Sequence, residues 1–158
     1  QKYDFAKKMK MTKQEVKDER KNQEGNPQVK AKIRSVGQQI AMSKMMSAIP
    51  ESDVVVTNPT HFAVALLYDT EKYPAPVVVA KGADYMAKRI KDIAKHHKIP
   101  IVENKPLARS LYKLVDLNRM VPEELFTAVA EVLAYVFKKN KTRYRKKQKA
   151  LMKKKKGK

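Results

Sequence analysis

The sequence predicts an α/β domain built on a small, mostly four-stranded sheet flanked by helices. A long helical linker should precede this domain, and a disordered basic tail should follow it. Three observations carry the prediction. Short apolar runs alternate with amphipathic segments across residues 51–137. Residues 1–50 are polar with a helical pattern, and residues 138–158 are mostly lysine and arginine.

The net positive charge of the chain lies at its two ends. The 158 residues have a formal net charge of +20. Residues 1–50 carry 12 basic and 5 acidic side chains, residues 51–137 carry 11 of each, and residues 138–158 carry 13 basic and none acidic. A nucleic-acid-binding fold usually has its basic patch on the fold itself. Because residues 51–137 are neutral, we expect a module that docks other proteins and does not bind nucleic acid. A basic nucleic-acid-binding protein is the weaker alternative.

Other classes of protein are disfavoured by composition. The chain has no cysteine, which rules out disulfides and thiolate metal sites. No apolar run approaches the ~20 residues that span a bilayer, and the charged first 24 residues do not have the pattern of a signal peptide. We expect a soluble piece of protein.

The linker is predicted to contain two helices. Gly25-Asn26-Pro27 breaks the segment, and Pro27 suits the first turn of a second helix that runs to about Ala48. Poorly hydrophobic helices of this kind are usually linkers, or they fold on a partner or a membrane surface. We expect this one to bridge to something outside the chain.

Four strands and three helices are predicted in the middle of the chain. The strands are Val54–Val56, Phe62–Tyr68, Val77–Ala80 and Ile99–Val102. The helix between the last two strands carries Met86, Ile90, Ile93 and His97 on one face, which predicts a parallel, right-handed βαβ unit. A second helix presents Leu107, Leu111, Leu114 and Val115, and a third opens at Pro122-Glu123-Glu124 and is well buried.

The constellations of common enzymes are missing. The four glycines are isolated, and no serine lies in a nucleophile elbow. His96 and His97 are adjacent on a helix, so their side chains would point in different directions and make a poor metal pair. We expect no cofactor and no metal.

The segment TNPTHF, residues 57–62, joins the first two strands and allows one unusual reaction. The nitrogen of Pro59 carries no hydrogen, so it cannot attack the side chain of Asn58. The side-chain nitrogen of Asn58 can still attack its own backbone carbonyl and release Pro59 as a new amino terminus. A tight turn could position the groups, Thr60 offers a hydroxyl and an N–H, and His61 can exchange protons near neutral pH. On spacing alone, a plain turn remains the alternative, because Asn-Pro occurs in many loops.

Longer strings around this turn resemble a known family. DVVVTNPTHFAVALLYD, KGAD, IPIVENKPLARSLYK and VPEELFTAVAEVLAYV resemble, in this order, the C-terminal cytoplasmic domain of the FlhB family of type III export-apparatus proteins. YscU, EscU and SpaS are members of the same family. The resemblance runs from about Glu15 to Phe137 and includes EGNPQVKAKIRSVGQQIA in the linker. PLARSLYK and AVAEVLAYV look more flagellar than injectisome, and an injectisome homologue is the alternative.

The resemblance implies a bacterial inner-membrane protein whose transmembrane part precedes Gln1 and whose part seen here lies on the cytoplasmic side. It implies single-turnover self-cleavage, not a turnover enzyme, at Asn58-Pro59, with Thr60 and His61 completing the motif. The two parts stay together, and export changes from rod and hook substrates to filament substrates.

The implied partners are membrane and cytoplasmic components of the export apparatus, export substrates and a hook-length control protein. The basic linker would suit anionic lipid head groups. The family usually has tyrosine at the position of Phe62, which keeps the ring but lacks the hydroxyl. An inert adaptor, in which the motif is only a turn, is the further alternative.

Overall fold

The structure is a computed structural model that describes residues 12–156, and its first element is helix α1, Lys13–Glu24. Thr12 caps this helix. Its hydroxyl accepts a hydrogen bond from the backbone N–H of Glu15 at 3.2 Å, and the Glu15 carboxylate accepts one from the N–H of Thr12 at 2.7 Å. Residues 1–11 of the predicted linker lie outside the described residues.

Helix α2 spans Pro27–Ala48, in agreement with the predicted break and restart of the linker. The side chain of Asn26 caps it by accepting a hydrogen bond from the N–H of Gln28 at 2.9 Å. The boundary between two compact units of the chain falls after Ser43. No helix within residues 12–156 combines the length and the apolar character needed to cross a membrane.

The predicted four-stranded sheet is confirmed. Its strands are β1 (Val54–Asn58), β2 (Phe62–Leu67), β3 (Val77–Ala83) and β4 (Ile101–Glu103). Their order across the sheet is β3-β2-β1-β4. β1 pairs antiparallel with β2 and parallel with β4, while β2 pairs antiparallel with β3. The central strand β1 is buried along its whole length.

Helices cover both faces of the sheet. These helices are α3 (Asp84–His96), α4 (Lys105–Leu114) and α5 (Phe126–Lys139). The alternation of side chains along β1 divides them between two cores. Val55 packs with Ile90 of α3, whereas Val54 and Val56 pack with residues of α4 and α5. The sheet therefore has α3 on one face, and α4 and α5 on the other.

The connection from β3 through α3 to β4 does not join neighbouring strands, as it would in a simple βαβ unit. The two strands run in the same direction, as predicted, but β2 and β1 lie between them. The tight turn after β1 places β2 on one edge of that strand, which leaves the other edge for β4. The apolar pattern identifies the strands. Their order follows from which edge of β1 each of its two neighbours occupies.

Two helix predictions need small corrections. Leu114 is the last residue of α4 and is 61% exposed, while Leu107, Leu111 and Val115 are buried. A single 3₁₀ turn, Glu123–Leu125, precedes α5, so the predicted start of that helix is a separate element.

The predicted disorder of residues 138–158 is wrong for most of that segment. α5 continues to Lys139, and a further helix, α6, spans Lys141–Lys156. The rings of Tyr144 and Phe137 meet edge to face with centroids 4.2 Å apart. The tail is therefore anchored by an aromatic contact and by hydrogen bonds to the domain, which a count of its lysines does not show.

Candidate functional site

The four residues Asn58, Pro59, Thr60 and His61 form the turn between β1 and β2. Asn58 and Phe62 are directly paired across the two strands. The N–H of His61 donates a hydrogen bond to the carbonyl oxygen of Asn58 at 3.0 Å, which closes a four-residue turn. Proline suits the second position of such a turn because its ring sets φ in advance. The structure thus places all four predicted site residues in one tight turn.

The side chain of Asn58 is held inside the protein. Asn58 is 3% exposed, and its Nδ2 atom is buried without a hydrogen-bond partner among the described residues. A buried amide without a partner costs about 1–3 kcal/mol, and such groups are uncommon in folded proteins. The nitrogen that the Asn-Pro chemistry predicts as a nucleophile therefore makes no hydrogen bond within residues 12–156.

His61 lies at the exposed side of the turn. Its side chain is 61% exposed, and its Nδ1 is 3.6 Å from Oδ1 of Asp84, the first residue of α3. The N–H of Asp84 donates to the carbonyl oxygen of His61 at 2.8 Å. Asp84 adopts a left-handed φ of 44°, a conformation that aspartate tolerates better than most residues. Thr60, between Pro59 and His61, is also exposed.

The close approach of α3 to β3 brings this helix beside the turn. Gly82 is buried in β3, and a Cβ atom at this position would lie only 2.7 Å from the Cβ of Met86. Glycine is therefore required for the first turn of α3 to fold back over the strand. This packing places Asp84 next to His61.

Lys91 of α3 also contacts the turn, although no sequence pattern indicated it. Its Nζ donates a hydrogen bond to the carbonyl oxygen of Pro59 at 2.6 Å, and the side chain is partly buried. The contact fixes the peptide plane that follows the proline. The sequence does not indicate this role, because Lys91 is one of many lysines and lies 32 positions from Pro59.

The other flank of the turn is supported by α4. The ring of Phe62 stacks on that of Tyr112 with centroids 4.6 Å apart. Nζ of Lys81 donates to the carbonyl oxygens of Tyr112 and Val115, at 3.0 and 2.7 Å, and so holds the end of α4 against β3. Phe62 therefore keeps an aromatic contact at the position where tyrosine is usual in the resembled family.

No group of three or more potential metal ligands occurs within the part of the chain that the structure describes. His96 and His97 are exposed, and their rings meet edge to face with centroids 5.1 Å apart. The two rings therefore contact each other, and within the described residues they belong to no group of three or more potential metal ligands.

Comparison with known proteins agrees with the resemblance. Residues 1–136 match the model of the FlhB HrpN YscU SpaS family. The chain is 59% identical to the flagellar biosynthetic protein FlhB of Helicobacter pylori over 143 residues, covering 90% of this chain and 40% of that protein. It is 51% identical to FlhB of Bacillus subtilis over 138 residues, covering 87% of this chain and 38% of that protein. The chain thus spans about two fifths of the length of these relatives.

Solved structures show the same fold. The cytoplasmic domain of FlhB from Shewanella putrefaciens is 48% identical, with a TM-score of 0.59, and the match covers 61% of this chain and 74% of that one. A C-terminal domain of EscU that carries an asparagine-to-alanine substitution is 36% identical, with a TM-score of 0.57, covering 58% and 92%. The chain belongs to the FlhB HrpN YscU SpaS family, and its α/β part has the fold of the family's C-terminal domain.

Proposed function

We propose that this chain cleaves its own backbone between Asn58 and Pro59. The observation that carries the proposal is the buried Nδ2 of Asn58, which has no hydrogen-bond partner among the described residues and lies at the start of the turn. An asparagine that served only the turn would be expected to use its buried N–H groups in hydrogen bonds. Here the amide nitrogen makes no such bond within the described residues, which leaves it available to attack the backbone carbonyl of the same residue.

The reaction needs no co-reactant. Nδ2 of Asn58 attacks the carbonyl carbon of Asn58, which forms a five-membered imide ring, and the bond to the Pro59 nitrogen breaks. One proton leaves the amide and one arrives on the proline nitrogen. The N–H of His61 donates to the carbonyl oxygen on which negative charge develops, and the exposed imidazole of His61 is the proton carrier. Each chain reacts once, so this is self-modification and not turnover.

The two products should remain associated. After the cut, β1 belongs to residues 1–58 and β2 to residues 59–158. β1 keeps five residue pairs with β2 and three with β4. Its buried valines also stay in the two cores on either side of the sheet. The cut therefore frees one end of a central strand without removing its neighbours.

In the cell, we place this domain on the cytoplasmic side of the bacterial inner membrane, in the flagellar type III export gate. Cleavage would switch export from rod and hook proteins to filament proteins, with export-apparatus components, substrates and a hook-length control protein as partners. Family membership and the flagellar names of the curated relatives support this role. Full-length protein carrying Asn58→Ala should still export hook-type substrates and lose filament-type export, which measurement of both classes in culture medium tests.

Intact mass spectrometry of the purified chain tests the cleavage itself. We expect pieces of residues 1–58 and 59–158 whose masses sum to that of the intact chain, or to one water more if the imide has hydrolysed. Denaturing electrophoresis should separate them, while native size exclusion should show one species. Asn58→Ala should give only intact chain, because the nucleophile is absent. An uncut wild-type chain after long incubation would favour a plain turn.

The sequence contains its own control, because Asn26-Pro27 is a second Asn-Pro bond. Asn26 uses its side-chain oxygen to cap α2 and is exposed. We expect this bond to survive, and we expect unfolding in denaturant before maturation to prevent the cut at Asn58. Cleavage at Asn26, or cleavage that persists in the unfolded chain, would contradict a mechanism that depends on the folded turn.

A further inference from the structure

The buried carboxylate of Asp53 joins three parts of the domain. Asp53 immediately precedes β1 and is 2% exposed. Its Oδ2 accepts a hydrogen bond from the N–H of Tyr68 at 2.8 Å, just after β2. Its Oδ1 pairs with Nζ of Lys147 in α6 at 2.5 Å. A buried carboxylate is costly unless it is paired and hydrogen-bonded, so Lys147 supplies the charge that this position requires.

Two further residues of α6 bind the same region. The hydroxyl of Tyr144 donates to the backbone carbonyl of Asp53 at 2.7 Å. The guanidinium of Arg143 donates to the carbonyl oxygen of Lys98 at 2.6 Å and to that of Ser52 at 3.4 Å. Lys147 also donates to the carbonyl oxygen of Glu51, at 3.1 Å. The contacts of α6 with residues 51–53 join positions more than 90 residues apart in the chain.

We propose that Arg143, Tyr144 and Lys147 form a retention surface, which binds residues 51–53 and keeps the two cleavage products together. The inference rests on the proposed cleavage, because only a cut at Asn58 places the two sides in different chains. Residues 51–53 then belong to the N-terminal product and α6 to the C-terminal product. The surface is an interface between the products, with its partner defined as the backbone and carboxylate just before β1.

The position of this surface gives it a role that β-sheet pairing does not have. The cut frees the carboxyl end of β1, where fraying can begin. The retention surface holds the opposite end of β1, where the linker enters the domain. Release of the N-terminal product therefore requires the loss of Lys147 from Asp53 as well as the loss of strand pairing. Arg143, Tyr144 and Lys147 of the basic tail therefore hold the two products together at this end of β1.

Matched variants of α6 test this role. Lys147→Gln removes the cation that pairs with Asp53, and Lys146→Gln makes the same charge change at an exposed neighbour. The cleaved full chain is immobilised through an N-terminal tag, and release of residues 59–158 is followed in mild urea. Lys147→Gln should speed release roughly tenfold, and Lys146→Gln less than about twofold. Lys147→Arg should restore retention. Equal release rates in Lys147→Gln and Lys146→Gln would overturn the inference.

A second measurement does not depend on cleavage. In uncleaved Asn58→Ala, Lys147→Gln should speed hydrogen exchange several-fold at the amide of Tyr68 and across residues 141–150, while Lys146→Gln should not. If wild-type chain never cleaves but this exchange changes, the cleavage proposal fails and the contact stands. If exchange is unchanged by Lys147→Gln, the retention surface is wrong whether or not the chain cleaves.

Discussion

The N–H of His61 donates a hydrogen bond to the carbonyl oxygen of Asn58 at 3.0 Å, so the turn itself places a donor on the peptide bond that we propose is cut. This donor belongs to the backbone and survives substitution of the His61 side chain. The contributions of the turn and of the imidazole can therefore be measured separately.

His61→Ala should slow cleavage by roughly 100-fold without abolishing it, since it removes a proton carrier but leaves the backbone donor in place. His96→Ala, which removes an exposed histidine of α3, should leave the rate unchanged. Both rates are measured by intact mass against time after rapid purification or refolding. An unchanged rate in His61→Ala would mean that the backbone of the turn carries the reaction and that the imidazole has no part in it.

Lys91→Met should slow cleavage roughly tenfold, because the Pro59 carbonyl loses the hydrogen bond that orients it and the turn samples other geometries. Lys91→Arg should keep much of the wild-type rate, since a guanidinium can donate to the same oxygen. Lys88→Met, one turn earlier on an exposed face of α3, is the matched control. If Lys88→Met and Lys91→Met slow the reaction equally, the effect belongs to the helix and not to the contact with Pro59.

Hydrogen exchange should divide the chain near the boundary between its two compact units. Residues 12–43 expose apolar side chains such as Val29, Ile33 and Ile40, and α1 buries none of its residues. Their backbone amides should exchange much faster than those of residues 53–137, because little apolar area protects them. Equal protection of both parts in the isolated chain would contradict this prediction.

Stability at alkaline pH should depend on Tyr144. Burial, followed by the nearby Asp53 carboxylate, raises the pKa of the Tyr144 phenol above its ordinary value. An unfolded chain loses this proton near pH 10, so the folded state loses stability as the pH rises above about 10. Tyr144→Phe should be less stable than wild type by about 1 kcal/mol at neutral pH, through loss of the hydrogen bond to Asp53.

The difference between the two proteins should then shrink at pH 11. We expect a change of roughly 0.5–1 kcal/mol per pH unit, reduced because the phenol is only half-buried. Urea unfolding of uncleaved Asn58→Ala, with and without Tyr144→Phe, measures both free energies of unfolding. A difference that stays constant between pH 9 and pH 11 would mean that the phenol ionises equally easily in both states.

The sequence by itself determined the four strands, the helical linker and the turn that carries Asn58 and His61. These features are local. Alternating or continuous apolar residues report which segments are buried, and four consecutive residues between two strands must share one turn. The same local information named the atoms that we propose react, because the covalent structure of an Asn-Pro bond decides which of its atoms can attack and which bond can break.

Tertiary structure decided the contacts that join residues far apart in the chain. Apolar periodicity does not say that β4 takes the free edge of β1, that Lys91 reaches Pro59, or that Lys147 pairs with Asp53. Lysine-rich segments look alike in sequence, whether solvated or bound, since the difference lies in the partner. The first turns of α6 are held because they meet the buried carboxylate of Asp53 and the ring of Phe137, and only the packed domain brings those groups together.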